Sequence, residues 1–281
     1  GVFINPSDYD SQNNILYANK VRFNGNQSNR IIKIEDDFDA STIQLNTNTN
    51  VYFSSLKVSP YSSGNQKNLF LGTQSGRLYK VSNIGVDNNV NEITDENFPT
   101  ANIASIDIGE NENEILVVFS NYGVSSVWYS SNGGSTWSEK ESNLPDMPIR
   151  WGIFHPENSN FVLLATEIGA WQTSTFHNAL PDWIPSDNGL GNVRIDMLSV
   201  RSDNMVLAAS HGRGLFYGMF DTIEFLTGDI NLDDIINVLD VVLLVNLILN
   251  SSEYNESGDM NNDMMLDILD IISLLNFILN N

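Results

Sequence analysis

One pattern recurs along the first 220 residues and narrows the possible folds more than any other feature. An apolar run ends in Thr or Ser, two residues and a Gly follow, and a second apolar run begins. It reads Leu69-Phe-Leu-Gly-Thr73-Gln-Ser-Gly76-Arg-Leu-Tyr79, then Val117-Val-Phe-Ser120-Asn-Tyr-Gly123, then Val162-Leu-Leu-Ala-Thr166-Glu-Ile-Gly169-Ala-Trp171. The last copy, Val206-Leu-Ala-Ala-Ser210-His-Gly-Arg-Gly214-Leu-Phe216, is one residue longer in the turn. The Thr and Ser positions are 44–47 residues apart. Ahead of each copy lies another strand-like run: Leu56 to Pro60, Ile106 to Gly109, Ile153 to Pro156 and Leu198 to Ser202. A weaker first copy spans Phe3-Ile-Asn-Pro6 to Ile15-Leu-Tyr17.

A unit of roughly 40–50 residues with four short strands is the blade of a β-propeller. Gly permits the positive φ of a hairpin turn, and the Thr or Ser before it can bond the turn backbone. The pattern therefore predicts an all-β propeller over 1–220 with about five blades. Because the chain starts inside a repeat, the propeller is expected to be incomplete, truncated at its N-terminus.

The stretch Ser130-Ser-Asn132-Gly-Gly134-Ser-Thr136-Trp137 resembles the Asp-box, or BNR repeat, of sialidase-like, sortilin-like and xyloglucanase-like propellers, with Asn132 where the motif has Asp. The resemblance implies a turn between two outer strands. In that turn a side-chain oxygen caps the backbone, Gly permits the bend, and Trp137 plugs the blade. The run from Asn143 to Phe216 also looks like the last blades of secreted bacterial propeller proteins.

The C-terminal segment follows a different rule. Asp229-Ile-Asn231-Leu-Asp233-Asp-Ile235-Ile-Asn237-Val-Leu-Asp240 puts oxygen-bearing side chains at positions 1, 3, 5, 9 and 12. The same spacing returns thirty residues later in Asp259, Asn261, Asp263, Asp267 and Asp270. Ca²⁺ takes roughly six to eight hard oxygens, which a loop of this length supplies when alternate residues turn inward and position 7 gives a backbone carbonyl. Those carbonyls belong to Ile235 and Met265. Two Ca²⁺ ions are therefore expected. Position 6, commonly Gly for the sharp turn, is Asp234 and Met264 here. An apolar amphipathic stretch follows each loop, Val241 to Leu249 and Ile271 to Leu279.

This duplicated loop and helix resembles the type I dockerin module, an EF-hand-like unit, over 228–281, about a fifth of the chain. Asp at position 12 matches the dockerin form, whereas EF-hand sensors use Glu. The resemblance implies calcium-dependent docking into a cohesin-like module of another protein. Loop positions 10 and 11, which carry cohesin contacts in dockerins, are Val238-Leu239 and Ile268-Leu269. The expected organisation is then a propeller over 1–220, a linker over 221–227, and a small α-helical calcium module over 228–281.

Charge and composition set limits. Thirteen basic residues against 35 acidic give a net charge of −22, and no Lys or Arg follows Arg213. Such a balance argues against nucleic acid and anionic membrane surfaces as partners. The longest apolar run, near Val241, is too short to span a bilayer. With no cysteine there is no disulfide or thiolate chemistry.

No catalytic set is legible. Asp107, Asp146, Glu167, Asp187 and Asp196 could serve glycoside hydrolysis, which needs two carboxylates flanking a sugar, but no pair stands out. Arg150, Arg194 and Arg213 sit in different blades and could converge. Trp128, Trp151, Trp171 and Trp183 read first as blade packing, and His155, His177 and His211 lack metal-ligand spacing. The reading that results is a secreted bacterial attachment protein, extracellular or on the cell surface. Its propeller would take a carbohydrate or protein ligand and its end would dock onto a cohesin-like partner. The alternative is a propeller-fold glycoside hydrolase acting on extracellular polysaccharide and anchored by the same module.

Overall fold

The structure, a computed structural model, describes residues 5–20, 29–36, 39–47, 51–62, 64, 66–186, 189–220, 226–231, 235–249, 255–261, 263 and 265–280. Two compact units divide the chain, Gly1–Phe220 and Asp221–Asn281. The first holds five successive antiparallel sheets, the blades of a propeller. Blade one contains β1 (Ser7–Asp10), β2 (Ile15–Asn19), β3 (Arg30–Ile34) and β4 (Ala40–Gln44). Blade two contains β5 (Phe53–Val58), β6 (Leu69–Thr73), β7 (Leu78–Ser82) and β8 (Asn89–Glu92). Blade three contains β9 (Ile103–Ile108), β10 (Ile115–Phe119), β11 (Val127–Ser130) and β12 (Ser138–Glu139). Blade four contains β13 (Ile149–His155), β14 (Asn158–Thr166), β15 (Gly169–Thr173) and β16 (Ile184–Ser186). Blade five contains β17 (Ile195–Val200), β18 (Met205–Ser210) and β19 (Gly214–Met219).

Alternation along the strands builds the junctions between blades. Each strand turns one set of side chains toward the preceding blade and the other toward the next. Leu69, Leu71, Tyr79 and Val81 of blade two pack with Tyr17, Ile31 and Ile43 of blade one. The opposite face of blade two, with Phe70 and Leu78, packs on Ile106, Ile115 and Val117 of blade three. Leu116, Val118, Val127 and Tyr129 then meet Phe154, Val162 and Leu164 of blade four. Finally Leu163, Ala165 and Ala170 meet Leu198, Val206 and Ala208 of blade five.

Neighbouring first strands lie side by side, β1 by β5, β5 by β9, β9 by β13 and β13 by β17. Side chains stitch them together. Asp8 accepts the Val58 amide at 2.7 Å, and Asp107 at the equivalent place accepts that of Phe154 at 2.9 Å. Lys57 bonds Asp107 at 2.7 Å. Burial opposes the Lys57 charge, but Asp107 and Asp8 together raise its pKa.

A bulge recurs at one place in blades two to five. Phe53, Ile103, Ile149 and Ile195 pair with the last residues of β6, β10, β14 and β18, and the next pairing skips Ser54, Ala104, Arg150 and Asp196 in turn. This register corrects the sequence alignment of blade three. The residue equivalent to Thr73, Thr166 and Ser210 is Phe119, not Ser120, because Ser120 already belongs to a longer connection before β11. In blade one the first strand is Ser7–Asp10, beyond the expected Asn5-Pro6; Phe3 and Ile4 lie outside the described residues.

The second unit carries α1 (Val238–Leu249) and α2 (Ile268–Asn280). Both begin at the apolar pairs Val238-Leu239 and Ile268-Leu269. Of the expected linker, 221–227, residues 221–225 lie outside the described residues. No described helix is long and apolar enough to cross a membrane.

Candidate functional site

The two loops of the second unit are built alike, and their polar side chains explain where the helices begin. Asn237 caps α1, its Oδ1 accepting the Leu239 amide at 2.7 Å, and Asp267 does the same for Leu269 in α2 at 2.7 Å. Three residues on, Asp240 Oδ2 accepts the Asn237 amide and Asp270 Oδ2 that of Asp267, both at 2.8 Å. This is a reciprocal capping box with Asp in the place of Glu. Loop positions 9 and 12 thus start the helix, which is why Val238, Leu239, Ile268 and Leu269 fall inside the first helical turn.

The other oxygen of each position 12 carboxylate reaches back to the loop entrance. Asp240 Oδ1 accepts the Ile230 and Asn231 amides at 2.8 and 3.2 Å, and Asp270 Oδ1 accepts that of Met260 at 3.0 Å. Both aspartates are wholly buried, and Asp229 and Asp259 nearly so. A buried carboxylate is tolerable only with such donors.

Two glycines lock the halves together. Gly228, at φ 102°, leaves no room for a side chain beside Leu274 of α2. Gly258 meets Leu244 of α1 in the same way. The two leucines are the only fully buried apolar residues of the helices among those described.

For a cation, each loop offers hard oxygen donors only. In the second loop Asp259 Oδ1 and Asn261 Oδ1 both converge on the Asp263 amide, at 3.1 and 3.0 Å. In the first, the Asn237 side chain lies 3.1 Å from the Ile235 carbonyl, bringing positions 7 and 9 together. These residues fit Ca²⁺ in chemistry. Among the described residues no three His, Asp or Glu side chains gather as a metal centre. Asp233, together with Asp234 and Met264, lies outside them. Met265 is exposed, as are Val238, Leu239, Ile268 and Leu269, at 63, 61, 65 and 52%.

The propeller carries a second polar constellation, at the bulges of blades four and five. Arg150 grips Glu167 through Nε and Nη2 at 2.9 and 2.7 Å. Arg194 Nε lies 2.6 Å from Asp196, His211 Nδ1 3.1 Å, and Arg150 Nε 3.9 Å. Arg150 and Arg194 do converge, on a carboxylate of the protein itself; Arg213 stays exposed on the β18–β19 turn. Burial would raise the Asp196 pKa, but hydrogen bonds from Arg194 and His211 hold it below the usual value.

The other carboxylates weighed from sequence serve the backbone: Asp107 as described, and Asp146 through the Gly123 amide at 2.7 Å. Asp187 lies outside the described residues. His155 is buried among rings of Phe161 and Phe220. Trp128 and Trp183 are buried, while Trp151 and Trp171 are half-buried. The turn at 130–137 is held by Ser130 Oγ on the Gly134 amide and Asn132 Oδ1 on that of Thr136, both at 2.9 Å, with Gly133 and Gly134 at positive φ. Trp137 is half-buried rather than a sealed plug, its indole N–H reaching Ile93 O at 3.0 Å.

No known family matches the chain, and no curated protein does. Among solved structures, 73% of the chain superposes on the GH74 xyloglucanase from Xanthomonas campestris, with 15% identity and a TM-score of 0.49. The same share superposes on the GH74 enzyme of Niastella koreensis, with 18% identity and a TM-score of 0.48. The chain spans about a third of the length of each, 35 and 33%.

Proposed function

We propose that residues 228–281 bind two Ca²⁺ and dock, when loaded, into a cohesin-like module of another protein, so that an extracellular bacterial propeller is mounted on that partner. One observation carries this reading. In both repeats the apolar pair before the position 12 aspartate is exposed, while the aspartate itself is wholly buried. An exposed apolar patch repeated at two equivalent places on a small unit marks an interaction surface. Asp229, Asn231, Asp233, Asn237 and Asp240, with the Ile235 carbonyl, would hold one ion. Asp259, Asn261, Asp263, Asp267 and Asp270, with the Met265 carbonyl, would hold the other. Bound calcium would offset the mutual repulsion of these carboxylates. The protein's own share is to fix the loop entrance to the helix start through Asp240 and Asp270, which sets the apolar pairs in position.

The test is calcium titration of the whole chain by calorimetry with far-ultraviolet circular dichroism alongside. Two binding events and a gain of helix relative to EDTA are expected, and Asp229→Ala or Asp259→Ala should each remove one event. Identical spectra and no heat with millimolar Ca²⁺ would refute calcium binding. Pull-down with a cohesin module, in calcium and in EDTA, tests the docking half separately.

The cluster of Arg150, Glu167, Arg194, Asp196 and His211 would give the propeller a place to receive a carbohydrate or protein ligand. For hydrolysis of a polysaccharide, one carboxyl must keep its proton as the general acid. Asp196, held ionised by Arg194 and His211, suits anchoring and not proton donation.

A further inference from the structure

His155 closes a circuit of four residues between blades four and five. Its ring is buried at the end of β13, and its Nδ1 accepts the Glu157 amide at 3.1 Å. The Glu157 carboxylate accepts Asn204 Nδ2, from the β17–β18 turn, at 3.2 Å. Asn204 O in turn accepts the Phe220 amide at 2.8 Å. The Phe220 ring then returns to His155, with centroids 4.9 Å apart and the planes at 68°. Phe161 packs on the same imidazole at 6.3 Å. Phe220 is buried and is the last residue of the propeller unit.

The two ring nitrogens are not equivalent. A neutral imidazole whose Nδ1 accepts a bond carries its proton on Nε2. Here Nε2 is buried with no hydrogen-bond partner among the described residues, a state that asks for a reason. Only Nδ1 can take a second proton, and it does so by giving up the Glu157 amide. The cation so formed would sit among the rings of Phe161 and Phe220, where a charge loses its hydration. Burial accordingly holds the His155 pKa below the ordinary value, with Glu157 pulling the other way. The other charged groups on the surrounding elements are engaged elsewhere. Asp107 of β9 bonds Lys57 and the Phe154 amide, Glu110 meets Ser159, and Arg201 pairs with Asp203.

We propose that His155 is an acid-opened latch: a proton on Nδ1 breaks the Glu157 contact, opens the circuit and frees Phe220, the end of the propeller unit. A histidine whose folded pKa is lowered costs nothing at high pH. The closed form loses stability as pH falls below the ordinary value of about 6.5, and goes on losing it down to the folded pKa. The latch is therefore shut at neutral pH and loosened in mild acid.

The experiment is hydrogen exchange of the Phe220 amide in the full chain, read by NMR from about pH 7 to about pH 5 and corrected for the intrinsic pH dependence of exchange. The imidazole titration of His155 is followed in the same samples. Protection of Phe220 is expected to fall, at a slope of at most roughly tenfold per pH unit, while amides in β6 and β10 hold theirs. His155→Asn keeps an acceptor near the place of Nδ1 and cannot take the proton, so its profile should be flat whatever its baseline. Glu157→Gln keeps an acceptor for Asn204 and removes the charge that favours the protonated ring, so the fall should begin at lower pH. His177→Gln, in the β15–β16 connection, should leave the fall unchanged. A flat wild-type profile would overturn the proposal, and so would a fall that persists in His155→Asn. A His155 imidazole that titrates at the ordinary value would also overturn it, a result that wild type alone decides if a variant fails to fold.

Discussion

The propeller and the C-terminal unit keep their shapes by opposite means. In the propeller, whole strands such as β6 and β10 are buried along their length, and apolar surface removed from water is the main stabilising term. In the C-terminal unit each helix buries one leucine and one aspartate. Carboxylates tied to amides replace a core that so short a segment cannot build. The first kind of structure rests on buried apolar area, and the second on a network of hydrogen bonds.

Substitutions can break that contrast. Asp240→Ala takes the acceptor from the Ile230 and Asn237 amides, and a buried donor left unpaired costs roughly 1–3 kcal/mol. The expected result is loss of the helical signal of the second unit while the propeller's melting transition stays in place. If both transitions move together, the units are not independent. Within the propeller the most buried ion pair among the described residues joins Lys67 to Asp10 at 3.2 Å. Lys67→Met leaves Asp10 without its cation, and breaking such a pair costs about 3–5 kcal/mol. Denaturant unfolding should show the propeller weakened and the helical unit unaffected.

Trp137→Ala should cost less, about 1–3 kcal/mol, because only part of the ring leaves water. A loss at the level of a fully buried aromatic, read from the midpoint of chemical denaturation, would contradict the half-burial seen here.

Acid gives a smaller and broader effect. Burial opposes ionisation of Asp10, but Asn13, Lys67 and the Gln12 amide hold its pKa below the ordinary value. A carboxyl lowered in the folded state adds stability above its unfolded pKa and loses it as pH falls through the folded one. The Asp10 contribution should therefore be intact at neutral pH and fade below about pH 4. Asp10→Asn should flatten that limb of the stability profile. The smallest effect belongs to Val238→Ser with Leu239→Thr. On stability it should stay within about 0.5 kcal/mol, as for other exposed positions, while pull-down of a partner changes. Because the second repeat offers an equivalent pair, the matching change at 268–269 should be needed before binding disappears.

Much of the fold was legible because blade periodicity is written in apolar runs and turn glycines. Its register in blade three was not. Phe119 takes a place held elsewhere by Thr or Ser, and the lengthened connection after it shifts the apparent motif by one residue. The inner-strand bulge, not the turn, sets the pairing there, and a bulge leaves no composition signal. At the loops, the spacing of Asp and Asn announced oxygen ligands. The same residues also form capping boxes, a signal present in Asn237-x-x-Asp240 and Asp267-x-x-Asp270 that the ligand pattern masked. The arginines and the carboxylates Glu167 and Asp196 were visible as residue types. The pairing of Arg150 was not, because Glu167 follows the neighbouring strand β14 and Asp196 lies in the next blade.

The four bulged residues have a consequence for how this protein can change. Ser54, Ala104, Arg150 and Asp196 stand outside the hydrogen-bond ladder of their strands, and all four are half-buried at the same height in successive blades. A residue outside the ladder has no backbone pair directly opposite it. The four positions already hold a hydroxyl, a methyl, a guanidinium and a carboxylate on one unchanged scaffold. They form a row in which one backbone feature, repeated blade after blade, carries four different chemistries.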